Sequence, residues 1–440
     1  MTSIAFPGLA INNAEQLRES VSEPTPNTRI YLTYGKVESW ANDAAPPTPN
    51  TSVSSVYEVW RNMIGGKRIT GNDIRHVVQR NTWTSGTVYS AYDNTNANLL
   101  NETTLFFVVT SDFNVYKCIS NNNGAPSTVE PSYVSSEMGA IQADGYEWKY
   151  MYTISTSDQL NYMTAEYIPV KTLESDDGSI QWDVQSDAVV GAIYSVIVTN
   201  GGSGYSNVSN LSIALTGDGT SFTATGSINT STNTVSSITI TDAGNGYTYA
   251  DVSITGGGGS GATARAIISP AGGHGSNPLY ELGGSRLIFS VKLRGTENDV
   301  LSASNDFRQL ALIKDPFLKD STVIPSNSAF SQAETLTTTG SGDFLADEYV
   351  YQGASLATST FSGRVLEWSS GTSSLKVTNT RGTATSGTLT GDTSSVVRFI
   401  TSVEDRDFEP YSGRLLYMDN IKPITRAADQ TENFKIILKF

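Results

Sequence analysis

The chain has 440 residues, enough for two to four domains of ordinary size. Only 16% of them are charged, and Ser, Thr, Asn and 39 Gly fill the gap, a composition of short strands and turns rather than long salt-bridged helices. With 28 Lys and Arg against 43 Asp and Glu the net charge is −15, which argues against nucleic acid and against an anionic membrane surface as partners.

A single cysteine, Cys118, excludes an internal disulfide and any multi-cysteine zinc site. Two histidines, His76 and His274, leave little room for imidazole-based metal chemistry. Apolar runs such as Leu105–Val109 are far too short to span a bilayer. The segment Met1–Pro7 has neither the basic nor the apolar part of a secretory signal, so the expectation is assembly in a cytoplasm without cleavage.

In chain order, Arg29–Tyr34 reads as a strand broken by Gly35. A loop follows that ends in Ala45-Pro46-Pro47-Thr48-Pro49, where three prolines fix an extended path. A helix comes next. Ser55 caps it, Glu58 completes a capping box, and Val56, Trp60, Met63 and Ile64 share one face before a stop at Gly65-Gly66. Trp60 on that stripe reads as a core anchor.

Leu105–Val109 and Val115–Ile119 flank Thr110–Asn114 as the two arms of a hairpin. Cys118 then sits in a strand as a small buried hydrophobe, with no neighbouring base to make it a nucleophile. The segment Asp144–Tyr152 is a turn entering an aromatic strand, with Tyr146, Trp148, Tyr150 and Tyr152 alternating onto one face. Such a row serves as a sugar platform, as the wall of a sandwich core or as a subunit interface, the latter two more often.

Composition shifts after Trp182. Ser195–Tyr205 returns 42 residues later as Ser237–Tyr247, and Leu215–Gly219 returns as Ile254–Gly258. Each unit is strand, Gly-rich turn with Tyr, strand, Gly-rich turn, strand, which implies a pseudo-symmetric small β domain with Tyr packed back over the turn. Gly256–Gly261 lacks the Lys-Ser/Thr ending of a phosphate loop and no helix pattern follows it. Leu287, Phe289, Val291 and Leu293 share one strand face. Residues 327–401 read as a second small barrel or sandwich. The last strand alternates Phe434, Ile436, Leu438 and Phe440 against Lys435, Ile437 and Lys439.

Catalytic signals are sparse. No Ser sits in a nucleophile elbow. His76 lies beside Arg75 and Arg80 with no paired carboxylate, and His274 lies in a glycine linker, Gly272-Gly273-His274-Gly275. Glu174, Asp176 and Asp177 before Gly178 offer a weak calcium loop without the full acidic spacing, and a solvated turn is the simpler reading. The chain is therefore read as no enzyme, with no catalytic residue, cofactor or metal assigned.

Five blocks carry a resemblance. They are Ile30–Lys36 with Trp40 and Pro46-Pro47, then Asp144–Tyr150, Asn305–Gln309 and Gly413–Asn420, and last Pro423-Ile424 through Asp429–Glu432 to Phe440. Taken in order they resemble the baseplate wedge family of T4-like contractile-tailed phages, the gene-eight family, across residues 29–180, 285–318 and 411–440. The resemblance implies a structural virion protein of the tail baseplate. It implies a homodimer that links other wedge proteins and transmits rearrangement during sheath contraction. The stretches between do not match it. The fold expected is mainly β with a few short helices, several sandwich or barrel-like domains and two inserted small β domains. The segments expected are 1–182, 183–278, 279–326, 327–403 and 404–440. Tyr146, Trp148, Tyr150 and Tyr152 are the interface candidates. The rival is a glycan-binding adhesin or tail-spike-like depolymerase acting on host surface polysaccharide.

Overall fold

Antiparallel strands dominate the chain, with a few short helices between them, as the composition predicts. The computed structural model describes residues 5–23, 28–303 and 305–440. The expectation for Met1–Pro7 therefore falls largely outside the described residues. A helix over Pro7–Ser22 is additional to the expected elements, opened by proline at a position where its missing N–H costs nothing. Among the described residues no helix is long and apolar enough to cross a membrane.

The chain forms two compact units. One comprises Met1–Glu15, Arg75–Ile288 and Ile437–Phe440, the other Gln16–Ile74 and Phe289–Ile436. The Gly-rich repeat lies in the first and the second Ser/Thr-rich stretch in the other.

In the first unit the expected hairpin forms from Phe107–Val109 and Asn114–Asn121, and Tyr146–Thr153 joins as the third strand. Strand Ile74–Gln79 pairs with Tyr167–Val170, with His76 opposite Val170. The repeat builds a four-stranded sheet in the order Ile193–Ser203, Ser260–Ile268, Ala250–Thr255, Ser212–Gly217, together with a hairpin of Thr220–Asn229 and Thr234–Asn245. Its core gathers Ile193, Tyr247 and Ala266 with Phe222 and Ile240.

The two repeat copies are locked crosswise by their tyrosines. A Cβ added at Gly219, in the first copy, would lie 2.4 Å from the ring of Tyr247 in the second. A Cβ at Gly259, in the second, would lie 2.5 Å from the ring of Tyr205 in the first. Both rings are buried. Each tyrosine thus seats on a glycine of the other copy, so the repeat works as one interlocked domain rather than two beads. Gly256–Gly261 is the turn into the strand Ser260–Ile268, with no helix behind it.

In the second unit a five-stranded sheet runs Ala329–Ser331, Met63–Ile69, Ile30–Gly35, Asp306–Lys314, Arg414–Thr425. Tyr31, Trp60, Phe330 and Phe408 form its core on one face. Residues 334–404 close into a six-stranded barrel around Leu336, Val350, Phe361, Leu375 and Ile400.

The helix of this unit departs from expectation. It spans Val53–Asn62 and is capped by Ser52, whose Oγ accepts the Ser55 N–H at 3.2 Å. Met63 and Ile64 do not extend the helical face, and Gly65-Gly66 does not stop it. All four belong to the strand Met63–Ile69, paired with Ile30–Gly35. A Cβ on Gly66 would lie 2.4 Å from the Leu32 carbonyl oxygen, so these glycines serve close strand packing.

Candidate functional site

Four of the five blocks singled out in the sequence meet in the second unit, and polar side chains tie them. Arg308 grips Asp43 with two parallel bonds of 2.9 Å and donates to the Val37 carbonyl at 2.6 Å. Gln309 donates to Asn420 at 2.9 Å, and Asn420 donates to the Pro47 carbonyl at 2.9 Å. Arg426, fully buried, donates to the Tyr34 hydroxyl at 3.0 Å, to the Ser302 carbonyl at 2.8 Å and to Glu432 at 3.3 Å. Burial pushes the Tyr34 hydroxyl up to about 12, so it stays a neutral acceptor beside the guanidinium. These residues form a scaffold of mutual hydrogen bonds.

Beside this scaffold lies a cavity of about 560 Å³. Its first wall comes from the end of the strand Ile30–Gly35 and the end of the helix. A Cβ at Gly35 would lie 2.2 Å from the Asn62 carbonyl oxygen, so only glycine lets the helix end come this close. Lys36 then donates its N–H to that carbonyl at 2.9 Å. The opposite wall is the barrel, through Tyr349, Ser362 and Asn379–Arg381, and Tyr411 closes one side.

The charges are unevenly satisfied. Lys36 pairs with Glu38 at 3.0 Å and lies 5.2 Å from the Trp40 ring centre. The Lys36 ammonium holds the Glu38 carboxyl below its ordinary value, and Arg364 adds to this from 3.7 Å. Arg61 and Arg381 are exposed, and among the described residues neither makes a side-chain hydrogen bond or ion pair. Backbone strain collects here too. Lys36, Asn379 and Tyr411 have φ of 65°, 50° and 64°. Bulky residues rarely adopt that region without a local reason. Nothing in the sequence marks these positions, because they come from stretches separated by more than half the chain.

The interface candidates lie elsewhere. Tyr146, Trp148, Tyr150 and Tyr152 are 0–3% exposed in the first unit. The first three pack with Tyr89, Tyr116, Cys118 and Val184, and Tyr152 packs with Val115 and Ile168. Bulges in the pairing with Asn114–Asn121 turn the row so that it is shared between two cores. The row is a core wall within one chain, and its rings are not at the surface.

His76 is buried, with Nδ1 2.8 Å from the Gly284 carbonyl oxygen. His274 is not a linker residue. Positive φ at Gly273 and Gly275 folds the ring inward, 4.7 Å from Tyr92 and 5.9 Å from Tyr194 between ring centres. Burial, then Lys117 and Lys149, hold it far below the ordinary histidine value, so it stays neutral. Lys117, fully buried, is ion-paired with Glu281, which also accepts the Gly275 N–H at 2.8 Å. Burial pushes the Cys118 thiol up, which makes it inert. Asp176 and Asp177 accept the N–H groups of Gly178 and Ser179 at 2.8 and 3.1 Å, forming the exposed lead-in to the helix Ile180–Ser186. Among the described residues no three His, Cys, Asp or Glu side chains gather as a metal-holding group.

Comparison with known proteins bears on residues 8–136, which match the family described as bacteriophage T4, Gp8. The chain is 24% identical over 182 residues to the baseplate wedge protein gp8 of Enterobacteria phage T4, covering 34% of this chain and 54% of that protein. It thus spans about half the length of that curated relative. The family match takes in Ile30–Lys36, Trp40 and Pro46-Pro47 and ends before Asp144. Through this region the chain is similar to the Gp8 family of phage baseplate wedge proteins.

Proposed function

We propose that the chain is a structural subunit of a phage tail baseplate wedge. It acts as a homodimer, links neighbouring wedge proteins and transmits their rearrangement when the tail contracts. It is a rigid part and no enzyme. The observation that carries this reading is the match over residues 8–136, supported by the polar ties that draw the matched segment together with Asn305–Gln309 and Gly413–Asn420. Bidentate arginine pairs and buried guanidinium knots fix geometry more than they add stability, which suits a part that must pass force without deforming.

The glycan-binding reading places sugar contact on the two β inserts, 183–278 and 327–403, and the aromatic row that would offer a further sugar platform is buried. A dimer must likewise use other surface than these four rings. The test is composition and location. Purified phage tails are resolved into baseplate and remaining parts, and the chain is quantified in each. Enrichment with the baseplate supports the proposal. Recovery with fibres, or binding and cleavage of host polysaccharide by the purified chain, favours the adhesin instead.

A further inference from the structure

We propose that the cavity between the helix Val53–Asn62 and the barrel is a docking site for an acidic peptide segment of another protein, whose carboxylates engage Arg61 and Arg381. The inference deepens the proposed function only in assuming that the chain works in contact with other proteins.

Charge points to the occupant. On a chain of net charge −15, this cavity gathers Lys36, Arg61 and Arg381 against Glu38 and Glu58. Lys36 and Glu38 neutralise each other. That leaves two unsatisfied guanidinium groups against one exposed carboxylate, a local excess of positive charge on a negative body. A guanidinium presents a planar fork matched to a carboxylate, and it loses less on desolvation than an ammonium.

The rings argue against a sugar. Saccharides stack on open aromatic faces. Here Lys36 lies over Trp40, Arg364 lies over Tyr349 at 5.8 Å, and Tyr411 meets Tyr57 edge-on at 5.2 Å. Two of the three lining aromatic faces are taken by the protein's own cations and the third ring, Tyr411, meets Tyr57 rather than a cation, while the guanidinium forks stay open. The barrel is closed, so it offers no free strand edge to extend, and recognition there falls to side chains.

Strain and size agree. Of the sixteen described non-glycine residues with positive φ, four are neither Asn, Asp nor Ser: Lys36, Phe113, Glu297 and Tyr411. Two of those four line this cavity. Strained backbone concentrates at binding sites, where surrounding contacts hold it. The volume of about 560 Å³ is within the range of ligand-binding clefts.

The experiment titrates the full chain with fluorescent octaglutamate, with octalysine and a neutral Gly/Ser octamer as controls, and with an oligogalacturonate of similar charge. Octaglutamate is expected to bind in preference to all three, more weakly as salt rises. Arg61→Glu with Arg381→Glu is expected to weaken it at least tenfold, and Glu58→Gln to tighten it. Both arginines are exposed, so the melting temperature should hold, and Arg61→Gln with Arg381→Gln gives an intermediate loss that does not depend on charge reversal. Absence of octaglutamate binding, binding indifferent to both variants, or tighter binding of oligogalacturonate would overturn the proposal. The readout uses no phage particle, so it stands or falls apart from the baseplate assignment.

Discussion

Arg308 and Asp43 lie 265 positions apart in sequence and meet through two parallel N–H···O bonds of 2.9 Å. The same guanidinium reaches the Val37 carbonyl, so one side chain closes the loop that carries Trp40 and the three prolines. Lysine cannot make this fork. Arg308→Lys should therefore loosen residues 37–50 and lower the melting temperature by about 2–4 °C per kcal/mol lost. Faster amide exchange at Trp40 and Asp43 than in the rest of the second unit is the signature. Uniform exchange would show that the fork does not hold the loop.

Arg426 is the most buried charge of the second unit, with Tyr34, Ser302 and Glu432 as partners. Removing one member of a buried pair leaves the other unpaired, at a cost of about 3–5 kcal/mol. Arg426→Met should show that loss in chemical denaturation. Arg426→Met with Glu432→Gln should recover part of it, because the stranded carboxylate is gone. Equal loss in single and double variants would assign the cost to packing.

The crossed tyrosines of the repeat make a paired prediction. Gly219→Ala and Gly259→Ala each push a methyl into a buried ring, an overpacking cost of about 1–3 kcal/mol. Neither glycine has positive φ, so backbone strain does not enter. Tyr247→Ala should relieve the ring part of the Gly219→Ala penalty, the Asn245 carbonyl oxygen 2.5 Å from the added methyl remaining, and leave that of Gly259→Ala untouched. Thermal unfolding of the single and double variants in a mutant cycle checks this. Relief in the wrong pair would mean the copies are not crossed.

Lys149 supplies a pH test. Burial, with help from Lys117, brings its ammonium down to about 8 from an ordinary 10.5. Below pH 8 the group is charged in both folded and unfolded chains, and folding bears the whole desolvation cost. Between pH 8 and 10.5 the folded chain sheds the proton while the unfolded chain keeps it, so stability rises with pH there. The rise is about 2–4 kcal/mol, because each tenfold change in proton affinity is worth about 1.4 kcal/mol. Lys149→Met should be more stable than the parent at pH 7, with the gap closing by pH 10. A gap that stays constant from pH 7 to 10 would contradict this.

The repeat should also be removable. Ile193 pairs with Ile268, and the Ser269 N–H bonds to the Ala192 carbonyl at 3.0 Å, so the ends of the segment 191–268 sit side by side. An ion pair ties it to the rest of the first unit, Arg265 to Asp93, at 2.9 and 2.6 Å. Replacing residues 191–268 with a short Gly/Ser bridge should leave a soluble, folded chain, since closing a shorter loop adds little entropy cost. Aggregation or loss of the cooperative melt on deletion would make the repeat part of the core.

Much of the β architecture is legible in residue order, because alternation and turn glycines are local signals. The hairpin around Thr110–Phe113, the copies at Ser195 and Ser237, and a small β domain over residues 334–404 all follow from them, while the closure of that domain as a barrel does not. The helix cap lies three residues before the expected one: Ser52 is as good an N-cap residue as Ser55, and it takes that role without the glutamate of a capping box. The helix also ends earlier than expected, because pairing of Met63 with Gly35 outweighs helical continuation. Strand alternation shows that Tyr146, Trp148, Tyr150 and Tyr152 share a face, yet it carries no information on what covers that face. The cavity is invisible in the sequence for a different reason. Lys36, Arg61, Arg381 and Tyr411 meet only through the long-range packing of helix against barrel, and no short-range pattern encodes that.

The most direct measurement of the central claim is an electron density map of the intact tail of the phage that encodes the chain, resolved well enough to trace strands. The expected result is that the five-stranded sheet and the six-stranded barrel fit density within the baseplate wedge, as pairs of copies in contact with neighbouring wedge proteins. Density for the chain in the tail fibres or the capsid, or a baseplate fully accounted for without it, would contradict the assignment.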